Sequence, residues 1–211
     1  MSEVPPELPT KSRGEAADKI LLAAEKLFAS RGFAAVSVRD IAVEAGVNKA
    51  LVFYYFENKA KLLQRVLEQY YQAHRQVLSP APEGASVREQ MRHLLDSYLD
   101  FIEENYRYLQ IVQHELASNA DNLPMIRIGL RSLYDRVHEL LGELTSEGPL
   151  HVRHFYISFS GLVITYFNYA PVLDALWEGD PLSAANRRER REHLHWMMTQ
   201  ILNGLGVPAE S

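Results

Sequence analysis

The sequence predicts an all-α protein of about nine helices. Apolar residues recur at intervals of three and four along most of the chain, and no stretch shows the alternation of a β-strand. Two short helical segments meet at Gly46, which predicts a helix-turn-helix near the N-terminus. With 211 residues, of which 47% are hydrophobic, the chain can bury a substantial core. We therefore expect a three-helix N-terminal domain followed by a larger helical domain.

The first helix is predicted over Glu15 to Arg31. Its apolar stripe includes Ile20, Ala24 and Phe28, and Gly32 stands where the helix should stop. Residues 1–13 contain three prolines and lack an apolar signal segment, so we interpret them as a flexible arm. That arm carries two basic residues and could alternatively follow a groove of nucleic acid.

The helix-turn-helix is predicted over residues 37–56. Ser37 can cap its first helix and form a capping box with Asp40, while Gly46 suits the left-handed conformation that ends helices. Asn48 can cap a second helix that runs from Lys49 to Phe56. The sequence thus predicts two short helices joined by a tight turn.

The rest of the chain is predicted to contain further helices. Ser86 and Glu89 resemble a second capping box, and Pro171 to Leu182 is predicted to be a loop. The predicted helices cover Lys59 to Leu78, Ser86 to Asn105, Tyr106 to Ala117, Asn122 to Leu144, His151 to Ala170 and Ala184 to Leu205.

Composition excludes several classes of protein. The chain has no cysteine, which excludes a disulfide scaffold and cysteine-based zinc sites and fits a cytoplasmic location. The longest uncharged run, Phe155 to Leu173, approaches transmembrane length, but it contains Ser158, Asn168 and Pro171, so a buried helix is favoured and no membrane partner is expected. No Gly-rich phosphate loop or nucleophile elbow is present.

Charge is distributed unevenly along the chain. The net charge is -5, yet residues 1–61 hold nine Lys or Arg against eight Asp or Glu. The remaining residues hold thirteen basic against nineteen acidic side chains. The acidic imbalance therefore lies outside residues 1–61.

The second helix of the helix-turn-helix is unusually rich in aromatic residues. Val52 and Phe56 can share a core-facing stripe, which leaves Lys49, Tyr54 and Tyr55 on the rest of the circumference. Lysine and tyrosine suit phosphate oxygens, and residues near the start of such a helix suit base edges in a major groove. An ordinary helical corner with aromatic core residues remains the alternative.

Several separated motifs keep a common order between roughly residues 15 and 65. They are Ala24-x-x-Leu27-Phe28-x-x-x-Gly32-Phe33, Ile41-Ala42-x-x-Ala45-Gly46-Val47 and the run from Val47 to Leu63. Together they resemble the DNA-binding domain of TetR-family transcriptional regulators. Beyond these residues the resemblance is limited to length and helical character. With the resemblance, the predicted domains are 1–13 (the arm), 14–60 (DNA binding) and 61–211 (ligand binding and dimerisation).

The resemblance implies a homodimer that binds a palindromic operator in double-stranded DNA. In dimeric helix-turn-helix proteins the half-sites lie about 34–36 Å apart. Phosphate contacts are implied for Ser37, Tyr54, Tyr55 and Lys59. The implied DNA-contacting residues are Ser37, Arg39, Asn48, Lys49, Ala50, Leu51, Phe53, Tyr54, Tyr55 and Lys59.

The sequence departs from the family pattern at two places in this helix. Ala50 and Leu51 stand where the family often has Gly-Thr, and Phe53 replaces a frequent tyrosine. Fewer polar groups then remain to read base edges, so apolar contacts with thymine methyl groups could contribute more. The operator sequence is left open.

The C-terminal helices are expected to hold a medium-sized apolar or aromatic effector and the dimer interface. The expected ligand-lining residues are Tyr98, Phe101, Tyr106, Tyr108, Ile111, His114, Met125, Tyr134, Phe155, Phe159, Tyr166, Phe167 and Asn168. The expected interface residues are Gly161, Leu162, Trp196, Met197, Ile201 and Leu202. Many of these residues could instead belong to the core.

Other patterns are weaker. His151 and His154 could share a helical face, but no third ligand is evident, so no metal and no cofactor are predicted. The mixed-charge run Arg187 to Glu192 is interpreted as a solvated face. The favoured function is a repressor that a ligand releases from its operator. An activator or ligand-insensitive regulator is the alternative, and a helical enzyme is a remote one because no nucleophile–base set is present.

Overall fold

The computed structural model describes residues 10–78, 81–118, 121–145, 148, 150–177 and 179–209. Within these ranges the chain forms nine α-helices and no strand, which confirms the predicted all-α class. The helices are α1 (Thr10–Arg31), α2 (Val38–Ala45), α3 (Lys49–Phe56), α4 (Lys59–Val77), α5 (Val87–Glu104), α6 (Tyr106–Ser118), α7 (Leu123–Leu141), α8 (Val152–Trp177) and α9 (Ala184–Gly204).

The described residues group into two compact units. The first contains residues up to Tyr70 together with Arg107–Ile126, and the second contains Tyr71–Tyr106 together with the residues from Arg127 onward. Residues of α4 and α7 therefore belong to both units. This division places most of α6 with the N-terminal helices, whereas the domain boundaries drawn from the sequence stay predictions.

The first unit is built around α1. Ile20 and Phe28 on α1 are fully buried, as are Ile41 on α2 and Leu62 on α4, and α1 packs against both α2 and α3. Burying large aliphatic and aromatic side chains stabilises such a small domain by about 1.5–3 kcal/mol each. The first helix thereby fixes the angle of the helix-turn-helix.

The second unit is built around α5, α8 and α9. Met91 on α5, Phe155 on α8 and Leu194 on α9 lie in its core. Arg88, which is also buried, donates to the carbonyl oxygens of Val207 and Pro208 and so holds the segment after α9 against the start of α5. Compared with the predicted domain over 61–211, this unit lacks residues 61–70 and 107–126.

The mixed-charge run at the start of α9 is only partly a solvated face, because Arg188, Glu189 and Glu192 are exposed but Arg187 and Arg191 pair with α5. Arg191 lies 3.0 Å from Asp96 and 2.5 Å from Asp100 on α5, and Arg187 lies 3.2 Å from Glu103. A charge run does not show which neighbouring helix carries the opposite charges, so the sequence could not predict these pairs. These ion pairs join α9 to α5.

Two helix boundaries differ from the predicted ones. α1 begins at Thr10, so residues 10–13 of the predicted arm form its first turn, and residues 1–9 lie outside the described residues. α8 continues through Pro171 to Trp177, where a loop was predicted. Pro171 has no N–H to donate to the carbonyl of Phe167, and the hydroxyl of Tyr106 donates to that oxygen instead at 3.3 Å.

Among the described residues, no helix is both long enough and apolar enough to cross a membrane.

Candidate nucleic-acid interface

Local capping builds the helix-turn-helix. The backbone N–H of Asp40 donates to the Ser37 hydroxyl at 3.1 Å, and the Asp40 carboxylate accepts from the Ser37 backbone N–H at 2.8 Å. The backbone and side-chain hydrogen bonds from Ser37 lower the pKa of Asp40. This reciprocal arrangement confirms the predicted capping box at the start of α2.

The turn between α2 and α3 has the predicted chemistry. Gly46 has φ 67°, a left-handed conformation that a residue with a Cβ adopts at a cost. The side chain of Asn48 accepts from the backbone N–H of Leu51 at 2.8 Å and so caps α3. The two helices are therefore set by three local signals that were all visible in the sequence.

The eight residues of α3 have one buried side and one exposed side. Val52 and Phe56 are buried against the first unit's core. On the opposite side, Phe53 is 42% exposed and Tyr54 is 62% exposed. The ammonium of Lys49 lies 5.5 Å from the centre of the Phe53 ring, a cation–π contact. The exposed side of α3 thus combines a cation, two aromatic rings and no acidic group.

The predicted DNA-contacting residues differ in how far their side chains are exposed. The side chains of Arg39, Asn48, Lys49, Ala50, Phe53 and Tyr54 are exposed, and that of Leu51 is half-buried. The hydroxyl of Ser37 donates to the Asp40 carboxylate at 2.8 Å, so in this structure it is engaged within α2. Contacts between these residues and DNA stay predictions.

Lys59, for which a phosphate contact is predicted, makes hydrogen bonds inside its own unit. Its ammonium donates to the carbonyl oxygens of Phe33, at 2.7 Å, and Val36, at 2.8 Å, and it lies 4.1 Å from the centre of the Phe33 ring. Burial lowers the pKa of Lys59, while the charge of Glu115 opposes that effect. Lys59 therefore joins the start of α4 to the α1–α2 connection, and its phosphate contact stays a prediction.

Tyr55 also differs from its neighbour Tyr54. Its hydroxyl is buried and has no hydrogen-bond partner among the described residues, and its ring packs edge-on against Tyr54 at 5.2 Å between ring centres. A phosphate could not reach that hydroxyl without movement of the helix or of the ring. The predicted phosphate contact therefore fits Tyr54 better than Tyr55.

An apolar cavity lies within the second unit. Its volume is about 30 Å³, so the lining residues nearly fill it. Three of the predicted ligand residues, Tyr98, Phe155 and Phe159, line it. Sequence reasoning missed its other lining residues, which are Met91, Leu94, Leu95, Leu133, Val137, Tyr156, Ser160 and Met198.

The other predicted ligand residues do not line this cavity. Phe101, Tyr108 and Ile111 are buried, and Tyr106 donates to the Phe167 carbonyl. His114 is exposed, with its ring near Gly32. Ten predicted ligand residues lie outside this cavity, and their contacts with a ligand stay predictions: Phe101, Tyr106, Tyr108, Ile111, His114, Met125, Tyr134, Tyr166, Phe167 and Asn168. Helical spacing identified apolar faces, but it could not identify which faces border unfilled space.

The predicted dimer residues lie on α8 and α9. Trp196 is 61% exposed, and Gly161, Leu162, Met197 and Ile201 are half-buried. Leu202 is only 1% exposed and belongs to the core of its own chain, so its predicted interface role was wrong. Four further exposed apolar residues, which sequence reasoning missed, lie on α8: Ile157, Tyr169, Val172 and Leu176.

His151, just before α8, and His154, within it, have ring centres 6.4 Å apart. In the described part of the chain, no group of three or more His, Cys, Asp or Glu residues is arranged to hold a metal ion.

Comparison with known proteins places the N-terminal helices in one family. Residues 20–66 match the family described as bacterial regulatory proteins, tetR family. These residues include α2, α3 and the glycine turn between them. The matching family and the relatives named below are transcriptional regulators, not enzymes.

Two curated relatives extend this finding. The chain is 51% identical over 61 residues to the HTH-type transcriptional repressor Rv3405c of Mycobacterium tuberculosis, covering 29% of this chain and 32% of the relative. It is 26% identical over 134 residues to the HTH-type transcriptional activator FasR of Mycolicibacterium smegmatis, covering 61% and 60%. The chain therefore spans between about a third and three fifths of the length of these relatives.

The fold is shared more widely than the sequence. A TetR-like transcriptional regulator from Rhodococcus sp. RHA1 superposes with a TM-score of 0.66 at 22% identity, over 94% of this chain and all of the other. At this identity the likeness concerns the fold alone, and it extends well beyond residues 20–66. Residues 20–66 therefore match the N-terminal domain of the tetR family of bacterial regulatory proteins.

Proposed function

We propose that the protein is a homodimeric transcription regulator that places the exposed side of α3 in the major groove of a palindromic operator. The observation that carries this proposal is the division of α3 into a side anchored by Val52 and Phe56 and a free side with Lys49, Phe53 and Tyr54. Such a helix is rigidly held yet presents cationic and aromatic groups, as a recognition helix requires.

Lys49→Ala is expected to weaken operator binding at moderate salt and to lower the slope of log K against log salt by about 1, because one phosphate contact is lost. Fluorescence anisotropy with an operator recovered by genome-wide DNA capture would measure both quantities. Lys19→Ala, which removes the same charge from an exposed position on α1, is the matched control. An unchanged slope in Lys49→Ala would remove Lys49 from the phosphate contacts.

Within this function, the favoured form is a repressor that a small apolar or aromatic molecule releases from DNA. The cavity in the second unit supports a ligand, and the relative Rv3405c is named a repressor. Release requires that the ligand bind the DNA-free conformation more tightly than the DNA-bound one.

An activator is the second candidate, because the relative FasR is named as one. A reporter driven by the recovered operator distinguishes the two: deletion of the regulator raises expression under a repressor and lowers it under an activator. Operator occupancy that no small molecule changes would favour a ligand-insensitive regulator.

A further inference from the structure

We propose that α3 reads its operator through the C5-methyl groups of thymine, which the side chains of Phe53 and Ala50 contact in each half-site. The inference rests on the proposed function, since it names the feature of the bases that the same surface recognises. Three features of α3 carry it: the order of the exposed side chains across the helix, the apolar middle of that order, and the position of the Lys49 ammonium beside the Phe53 ring.

The exposed side chains of α3 follow a definite order across its surface. An α-helix turns by about 100° per residue, so Phe53 lies next to Lys49, and Ala50 lies between Phe53 and Tyr54. All four side chains are exposed, whereas Val52 on the opposite side is buried. Phe53 and Ala50 therefore occupy the middle of the exposed side, and a polar group lies at each edge.

This order assigns different partners to the middle and to the edges. A helix in the major groove turns the middle of its exposed side towards the base edges, and its two edges lie nearer the phosphate groups that border the groove. The Lys49 ammonium and the Tyr54 hydroxyl suit phosphate oxygens, but phosphate contacts carry no sequence information. Base readout by α3 then depends on the two apolar side chains.

The other polar groups near α3 are engaged or buried. Lys49–Phe56 contains no Arg, Asn, Gln, Ser or Thr, the side chains that commonly form hydrogen bonds to base edges. The side-chain oxygen of Asn48, just before the helix, accepts from the backbone N–H of Leu51, and the hydroxyl of Tyr55 is buried. Apolar contact remains, and thymine is the base that offers a methyl group in the major groove.

Phe53 and Ala50 are complementary to such a methyl group. They are three positions apart, so they are neighbours on the helix surface. Ala50 ends at its Cβ and leaves space beside the Phe53 ring, which is 42% exposed in the DNA-free chain. A thymine methyl group that enters this space removes apolar surface of both partners from water, which is favourable.

The Lys49 ammonium helps to order the ring before DNA binds. It lies 5.5 Å from the centre of the Phe53 ring, where the electron-rich face of the ring attracts a cation. Side chains that are already ordered lose less conformational freedom when a complex forms. Phe53 thus presents a preformed apolar surface to the groove.

Deoxyuridine tests the inference on the unmodified protein, because it pairs as thymidine does and lacks only the C5-methyl group. In the operator recovered by genome-wide capture, the thymines of the two half-sites are replaced in symmetric pairs, one pair at a time. Binding by the full-length protein is measured by fluorescence anisotropy. We expect at least one pair to weaken binding about tenfold, because each half-site loses one buried methyl group, worth about three- to fivefold.

Cytosine and 5-methylcytosine provide a second measurement at the same positions. Methylated cytosine places a methyl group where thymine has one, although its hydrogen-bonding groups are those of cytosine. With the sensitive pair changed, the 5-methylcytosine operator should bind at least about threefold more tightly than the cytosine operator. Equal binding of these two operators would overturn the inference.

Phe53→Ala should bind the thymine and deoxyuridine operators almost equally, because the ring that contacts the methyl group is gone. Phe53→Leu keeps part of the apolar surface, so its ratio should be intermediate, and it replaces Phe53→Ala if that variant binds neither operator. Leu22→Ala, which shortens an exposed apolar side chain on α1, is the matched control and should keep the parent's ratio. Circular dichroism confirms that the variants are folded.

The inference is overturned if no deoxyuridine pair weakens binding by more than about twofold, or if the Phe53 variants keep the parent's ratio. Operator capture precedes these measurements, so the two proposals fail in different ways. If no genomic fragment is retained above bulk competitor DNA, the proposed function falls and the inference falls with it. If the operator is bound but deoxyuridine has no effect, the thymine readout falls and the regulator remains.

Discussion

Lys49 and Lys59 lie ten positions apart and carry the same charge, but the structure uses them differently. Lys49 is exposed on α3, whereas the Lys59 ammonium is held by two backbone carbonyl groups of the α1–α2 connection. A lysine whose ammonium is engaged inside its own domain stabilises that domain, whereas the exposed ammonium of Lys49 has no such backbone partners. Substitutions can therefore distinguish the roles of the two lysines.

Lys59→Met is expected to lower the free energy of unfolding by about 2 kcal/mol, because two carbonyl groups lose a charged donor. Urea denaturation followed by circular dichroism measures this change. Lys61→Met changes an exposed position two residues further along α4. It should leave the free energy of unfolding within about 0.5 kcal/mol of the parent's. A Lys59→Met protein as stable as the parent, with a lower salt slope for operator binding, would restore the phosphate role.

His74 gives the protein a pH dependence of stability. Its pKa falls from an ordinary 6.5 to about 4 in the folded chain because the ring is buried. The unfolded chain therefore binds more protons between these values, and stability decreases as the pH falls from 6.5 towards 4. Between pH 7.5 and pH 5 this loss amounts to about 2 kcal/mol.

His74→Phe is expected to remove that loss while keeping a ring next to Phe101. Urea denaturation of the parent and the variant at the two pH values measures the difference. His93→Phe, at an exposed position on α5, is the control and should retain the parent's pH dependence. Equal pH dependence in the parent and His74→Phe would show that folding does not lower the pKa of His74.

Sequence reasoning succeeded at residues whose partners are close in the chain. Ser37 and Asp40 are three positions apart, so their capping box could be predicted. The partners of Lys59, by contrast, are Phe33 and Val36, which lie 26 and 23 positions away. No local pattern encodes such a contact. The same limit applies to the cavity, whose wall combines residues of four helices.

At the scale of an element, α8 shows how a tertiary contact overrides a local preference. Proline usually ends or kinks a helix, because it removes one hydrogen bond and crowds the preceding turn. In α8 the helix continues past Pro171, and Tyr106 donates to the carbonyl of Phe167 that the proline leaves without a helical donor. The sequence predicted a loop from Pro171, Gly179 and Pro181, and the hydrogen bond from Tyr106, 61 positions from its acceptor, has no local signal.

Tyr106→Phe is expected to destabilise the protein by about 1 kcal/mol, because the Phe167 carbonyl loses its donor. In a Pro171→Ala background the alanine N–H supplies a helical donor, so the same substitution should have a smaller effect. A double-mutant cycle from urea denaturation gives the coupling between the two positions. A coupling of zero would show that the tyrosine does not compensate for the proline.

At the scale of the whole molecule, α8 and α9 leave several large apolar side chains exposed. Ile157, Tyr169 and Leu176 on α8 and Trp196 on α9 are among them. Exposed apolar residues in such number on neighbouring helices are typical of an interface between subunits. The proposed homodimer would cover them, and a two-fold dimer would present two copies of α3 to DNA.

Trp196→Glu is expected to convert the dimer to a single chain of 24.1 kDa, because a carboxylate would be buried without a partner. Size-exclusion chromatography with light scattering measures the mass, and operator affinity should fall with it. Leu116→Glu, which places the same charge at an exposed apolar position on α6, should leave the mass unchanged. A dimeric Trp196→Glu protein would place the interface elsewhere.

The positions of the two tryptophans have a practical consequence. The chain contains only Trp177 and Trp196, one on each of the helices that carry the exposed apolar surface, and neither lines the cavity. Indole emission moves to shorter wavelength when water is excluded from the ring. The intrinsic fluorescence of the unmodified protein should therefore shift with protein concentration as subunits associate, and it should respond weakly to a small molecule taken up between α5 and α8.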